Sequence, residues 1–130
     1  MPKKILIIED DNFLRLALEK RLKNEGFEII SALNGEEGFQ KILTELPDLI
    51  ILDIILPKKT GFILLEEIIK DPNLKTVPIV IVSQLGQPED IEKGLKLGAI
   101  EYLVKAKVSL DDLVNKIKQY FNKGAGSSTG

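Results

Sequence analysis

Hydrophobic positions along this chain follow two rhythms, and the changes from one to the other mark its elements. Short, nearly continuous apolar runs occupy 4–8, 27–32, 48–57, 77–82 and 99–104. Runs of this length, rich in Ile, Val and Leu and bounded by turn residues, predict β-strands. Those that are apolar throughout predict strands buried on both faces. The densest is Asp48-Leu49-Ile50-Ile51-Leu52-Asp53-Ile54-Ile55-Leu56-Pro57, where Pro47 and Pro57 leave no room for helical length. Between the runs the spacing changes to three and four residues. Leu14, Ala17, Leu18 and Leu22 set one amphipathic face, Gly38, Phe39, Ile42 and Leu43 a second, and Leu64, Leu65, Ile68 and Ile69 a third. Ile91, Leu95 and Leu97 mark a fourth helix, and Leu110, Leu113, Val114, Ile117, Tyr120 and Phe121 a fifth.

The punctuation agrees with this division. Asp11 or Asn12 can cap the first helix and Gly26 supplies its left-handed stop; Asn34-Gly35 turns the chain, and Pro47 closes the second helix. Asp71-Pro72 ends the third helix, Pro88-Glu89-Asp90 opens the fourth, and Gly98 ends it. Ser109 with Asp112 resembles a capping box in which Asp replaces the usual Glu. Five strands alternating with five helices predict an α/β fold: a doubly wound, five-stranded parallel sheet, flavodoxin-like (βα)5, with strand order 2-1-3-4-5.

Length and composition narrow the picture. The 130 residues fit one domain, read as 1–123, followed by a Gly/Ser tail at 124–130 that is expected to be a flexible end or a truncated linker. A formal net charge of −2 gives no basic excess, so direct nucleic-acid binding is not expected. No apolar run approaches the ~18 residues of a membrane span and the start lacks the pattern of a signal peptide, which predicts a cytoplasmic protein with no membrane partner. There is neither cysteine nor histidine. Disulfides, thiolate chemistry, imidazole bases and the usual zinc ligands are excluded, leaving carboxylates, hydroxyls, lysine and hard cations.

The expected strand order makes the first and third strands neighbours at the switch point, where ligands bind outside the carboxyl ends of the strands. Glu9 and Asp10 then approach Asp53. Like charges ~4 Å apart repel by about 4 kcal/mol at an effective dielectric near 20, so three such carboxylates favour a cation among them. Oxygen ligands without nitrogen or sulfur favour Mg²⁺. The fourth strand ends in Ser83 and the fifth in Lys105, which brings a hydroxyl and an ammonium to the same edge. Together these groups describe a phosphoryl site, with a carboxylate as in-line nucleophile.

The set Glu9-Asp10, Asp53 followed by Leu56-Pro57 and Gly61, Ser83, and Tyr102 just before Lys105 resembles the receiver domain of two-component response regulators. The likeness spans residue 4 to about 123. It implies that Asp53 is the phosphoacceptor, that Lys105 binds the phosphoryl group, and that Glu9, Asp10, Asp53 and the Ile55 backbone carbonyl hold Mg²⁺. It implies that Ser83 and Tyr102 form a switch pair that remodels the surface of the fourth helix, fifth strand and fifth helix. The implied partners are a sensor histidine kinase or histidine phosphotransfer protein, and a downstream protein target or a C-terminal output domain outside this chain. Phosphorylation-dependent homodimerisation is compatible with it. The domain would be a signalling phosphoacceptor that assists its own phosphorylation and dephosphorylation, and not an enzyme.

Three positions depart from the family's habits or tune them. Ala106 stands where the family usually has a cis-linked proline, so a trans Lys105–Ala106 bond and a less constrained Lys105 are expected. Gln84 replaces a small residue after the switch hydroxyl and could narrow access to Asp53 or hydrogen-bond the phosphoryl group. Ile55 cannot orient water, which predicts slow autodephosphorylation. Ala106 and Gln84 keep an alternative open, a pseudo-receiver interaction module that works without phosphorylation. Ile55 also argues against an aspartyl phosphatase, which would want a second carboxylate there. Glu9-Asp10-Asp11 argues against a flavin carrier, because these acids would repel its phosphate.

Overall fold

The computed structural model describes the backbone of residues 2–127 and the side chains of residues 2–122. Its elements are β1 (Lys4–Ile8), α1 (Asn12–Asn24), β2 (Glu28–Ala32), α2 (Gly35–Glu45), β3 (Leu49–Leu52), α3 (Gly61–Lys70), β4 (Ile79–Ser83), α4 (Pro88–Lys96), β5 (Glu101–Val104), a 3-10 turn at Lys105–Lys107, and α5 (Leu110–Ser127). The five strands form one parallel sheet in the order β2-β1-β3-β4-β5, the topology expected from the alternation of elements.

The sheet's two faces bury separate apolar sets, because successive side chains of a strand point to opposite sides. On one face Leu6, Ile8, Ile50, Leu52, Ile79 and Ile81 pack beneath α2 and α3 with Ile42, Leu64, Leu65 and Ile68. On the other, Ile5, Ile7, Leu49, Ile51, Val80 and Val82 meet Leu18 and Leu22 of α1 and Leu113, Val114 and Ile117 of α5. β3 and β4 are buried along their whole lengths, as their unbroken apolar sequence requires.

Several boundaries differ from the sequence expectation, while the predicted caps and stops hold. β3 ends at Leu52, since Asp53 turns its side chain into the crevice and its carboxylate accepts the Ile55 N–H. β5 starts at Glu101, two residues later than its apolar run. Asn34 does more than turn the chain: its side chain accepts the Glu37 N–H and caps α2, which begins at Gly35. Asp11 caps α1, Gly26 (φ 97°) and Gly98 (φ 108°) take the left-handed stops, and Ser109 and Asp112 exchange reciprocal hydrogen bonds of 3.0 Å. Leu95, expected on the apolar face of α4, is exposed; the buried residue of that helix is Gly94. α5 runs to Ser127, and residues 128–130 of the expected tail lie outside the described residues.

Candidate functional site

The carboxyl ends of the strands bring Glu9 and Asp10 (after β1), Asp53 (after β3), Ser83 (at the end of β4) and Lys105 (after β5) to the same side of the sheet. The Glu9 backbone N–H bonds the Ala32 carbonyl at 3.1 Å and the Asp53 N–H bonds the Ile8 carbonyl at 3.0 Å, which extends the sheet's hydrogen bonding just past the strands and holds both acids in register. Glu9 and Asp53 are only 3% and 5% exposed, while Asp10 faces solvent. One carboxylate oxygen from each of Glu9, Asp10 and Asp53 lies within 4.8 Å of the others.

Lys105 reaches into this cluster from the end of β5. Its Nζ is 2.9 Å from Glu9 Oε1 and 3.1 Å from Asp53 Oδ2. The remaining oxygens are also engaged: Glu9 Oε2 accepts the Asp11 N–H at 3.1 Å, and Asp53 Oδ1 accepts the Ile55 N–H at 3.2 Å. Burial dominates the protonation of Glu9. Despite the Lys105 hydrogen bond, which favours the anion, desolvation with the nearby Asp53 charge pushes the Glu9 carboxyl up to about 7. For Lys105 burial favours loss of the proton, but Glu9 and Asp53 outweigh it and the ammonium is held more firmly than usual. No cis peptide occurs among the described residues, so Lys105–Ala106 is trans as expected, and the chain passes directly into the 3-10 turn.

Ser83 is fully buried at the end of β4, and its Oγ accepts the Leu85 N–H at 3.2 Å. Tyr102 on β5 donates its hydroxyl to the Leu85 carbonyl at 2.7 Å. Burial raises the Tyr102 phenol above its ordinary range, with the Ser83 hydroxyl opposing and the charges of Asp90 and Asp53 adding to the effect. Ile55 is half exposed on the loop after β3, and Gln84, which follows β4, is exposed. Glu9, Asp10, Asp53, Ser83 and Lys105 therefore lie at or just past the carboxyl ends of their strands, while Tyr102 lies within β5, level with Ile81.

Two contributors were not read from the sequence. Arg15 turns back from α1 and donates to the Glu9 carbonyl at 3.2 Å, consistent with helical side chains leaning toward the N-terminus. For Gly61, a part of the family's pattern, the structure shows a steric role. A Cβ at Gly61 would stand 2.5 Å from the Asp53 carbonyl oxygen, so glycine lets α3 begin directly against the Asp53 peptide. Its N–H bonds the Ile54 carbonyl at 2.8 Å.

The donor set suits a hard divalent cation: all oxygen, two members buried, and a local charge that one ammonium only partly balances.

A doubly wound parallel sheet with acids after its first and third strands and a lysine after its fifth is the arrangement of a receiver module. The sequence matches the family described as the response regulator receiver domain over residues 5–118, and the chain belongs to that family, which serves signalling. It is 38% identical over 127 residues to the probable transcriptional regulator ycf27 of Guillardia theta, covering 96% of this chain and 49% of that protein. The chain thus spans about half the length of the curated relatives it matches. Among solved structures it resembles a CheY-like response regulator receiver domain protein from Methanospirillum hungatei, with a TM-score of 0.86, 31% identity and coverage of 98% and 99% of the two chains. It also resembles the Mn(2+)-bound form of response regulator Rcp1, with a TM-score of 0.82, 29% identity and coverage of 92% and 94%. No helix among the described residues is long and apolar enough to cross a membrane.

Proposed function

We propose that this receiver domain accepts a phosphoryl group on Asp53 from a phosphohistidine of a histidine kinase or histidine phosphotransfer protein, with Mg²⁺ as cofactor. The observation that carries the reading is the placement of Lys105 between the Glu9 and Asp53 carboxylates, beside Asp10. An Asp53 oxygen attacks phosphorus, the P–N bond breaks, and the imidazole leaves with the bonding pair. Lys105 stays beside the new acyl phosphate and pairs with its oxygens, and Ser83 offers a hydroxyl to another. Glu9, Asp10, Asp53 and the Ile55 carbonyl would hold the metal, which supplies further neutralisation of phosphoryl charge when bound. A related response regulator described in a Mn(2+)-bound form supports a divalent cation in this family.

The phosphorylation signal then passes through Ser83, Leu85 and Tyr102 to a protein target, or to an output domain of the kind expected from relatives named as transcriptional regulators and about twice as long. Phosphoramidate, a small donor with a P–N bond, tests the chemistry. The reading expects one phosphoryl mass added in Mg²⁺ and none in EDTA; addition that is indifferent to the metal, or none in either condition, contradicts it.

A further inference from the structure

Gly94 is buried in the interior of α4, where glycine is normally unfavourable relative to alanine. Its backbone packs directly on two side chains. A Cβ added there would fall 2.7 Å from Ile81 Cδ1, 2.7 Å from Tyr102 Cδ2 and 3.0 Å from Tyr102 Cε2. The space an alanine methyl would need is thus already filled, in large part by the Tyr102 ring. From this seat the Tyr102 hydroxyl reaches the Leu85 carbonyl, while Ser83 Oγ takes the Leu85 N–H. Both backbone polar groups of Leu85 are therefore held by side chains at the edge of the crevice.

We propose that Gly94 is the positioning residue for Tyr102: its missing Cβ seats the ring against α4 and so fixes the loop after Ser83 through Leu85. The proposal rests on the reading of the Ser83 edge as part of the phosphoryl site. The two groups an alanine would strike are not equally free to move. Ile81 is fully buried in the sheet, whereas Tyr102 is half-buried on an edge strand with solvent beside it. The ring gives way first, and in leaving it abandons the Leu85 carbonyl to water.

Tyr102 and Tyr120 are the two tyrosines of the chain, so 3-fluorotyrosine in a Tyr120→Phe background reports Tyr102 alone by ¹⁹F NMR. Gly94→Ala is expected to shift this resonance, to increase its broadening by a soluble gadolinium chelate several-fold, and to speed exchange of the Leu85 amide. Because alanine also meets Ile81, the pair Gly94→Ala with Ile81→Val relieves the second contact and keeps the fold, and Tyr102 is expected to stay exposed in it. A Tyr102 that remains shielded in Gly94→Ala, or that returns to its seat when Ile81 is shortened, overturns the proposal. The readout needs no phosphorylation, so its failure leaves Asp53 labelling untouched, and failure of labelling leaves the Gly94–Tyr102 relation standing.

Discussion

Lys105 Nζ lies 2.9 Å from Glu9 Oε1, joining the end of the fifth strand to the end of the first across the crevice. The same ammonium contacts Asp53 at 3.1 Å, so one cation serves two buried carboxylates. Removing it leaves charge without a partner, which in buried sites is more costly than the pair is worth.

Lys105→Met should lower unfolding stability by about 1–3 kcal/mol at pH 8 in EDTA, a figure reduced from that of a fully buried pair because the lysine is partly solvated. The loss should shrink at pH 5, where Glu9 takes up a proton, and should shrink at pH 8 when Mg²⁺ is added. Urea titrations under the three conditions check this. Equal losses in all three would mean that Lys105 acts by packing and not by charge.

Glu9 predicts an unusual pH dependence. In the folded protein its carboxyl holds a proton up to about 7, whereas in the unfolded chain it ionises near the ordinary 4.5. Between these values the unfolded chain has lost a proton that the folded protein keeps, so Glu9's contribution makes metal-free stability fall as pH rises from about 4.5 to about 7 and then level off. The full effect is on the order of 3 kcal/mol. Glu9→Gln should flatten this part of the profile and be the more stable protein at pH 8 in EDTA. Chemical denaturation across pH, compared between the two proteins, measures it; a difference profile that rises with pH would contradict the assignment.

The Ile55 side chain offers no polar group to a water approaching a phosphorylated Asp53, though its backbone N–H holds Asp53 Oδ1. The aspartyl phosphate should therefore persist well beyond seconds in Mg²⁺, and Ile55→Asn should shorten its lifetime several-fold without loss of labelling. Timed intact-mass spectra after removal of the donor follow the decay. Loss of the label from the unaltered protein within seconds would contradict this.

The sheet order and nearly every element were legible because two fully apolar strands and five amphipathic stretches leave one economical arrangement. That Glu9, Asp10 and Asp53 would meet was legible for the same reason: strand ends are easily located, and topology brings them together. The contacts themselves were not legible. Nothing in the spacing of Lys105 says that it reaches both Glu9 and Asp53, because a flexible lysine chooses its partners through packing around it. Gly94 sits inside a helical pattern where its small size looks like a local weakness, and only the approach of Tyr102 gives it a reason. Leu95 fits an apolar helical spacing yet is exposed, since the short α4 turns its glycine to the sheet instead.

The account's central claim is that Asp53 is the phosphoacceptor. Intact-mass spectrometry of the unaltered protein beside Asp53→Asn, each incubated with acetyl phosphate and Mg²⁺, tests it most directly. The account predicts one added phosphoryl mass on the unaltered protein and none on Asp53→Asn; equal labelling of the two, or no labelling of the unaltered protein, would contradict it.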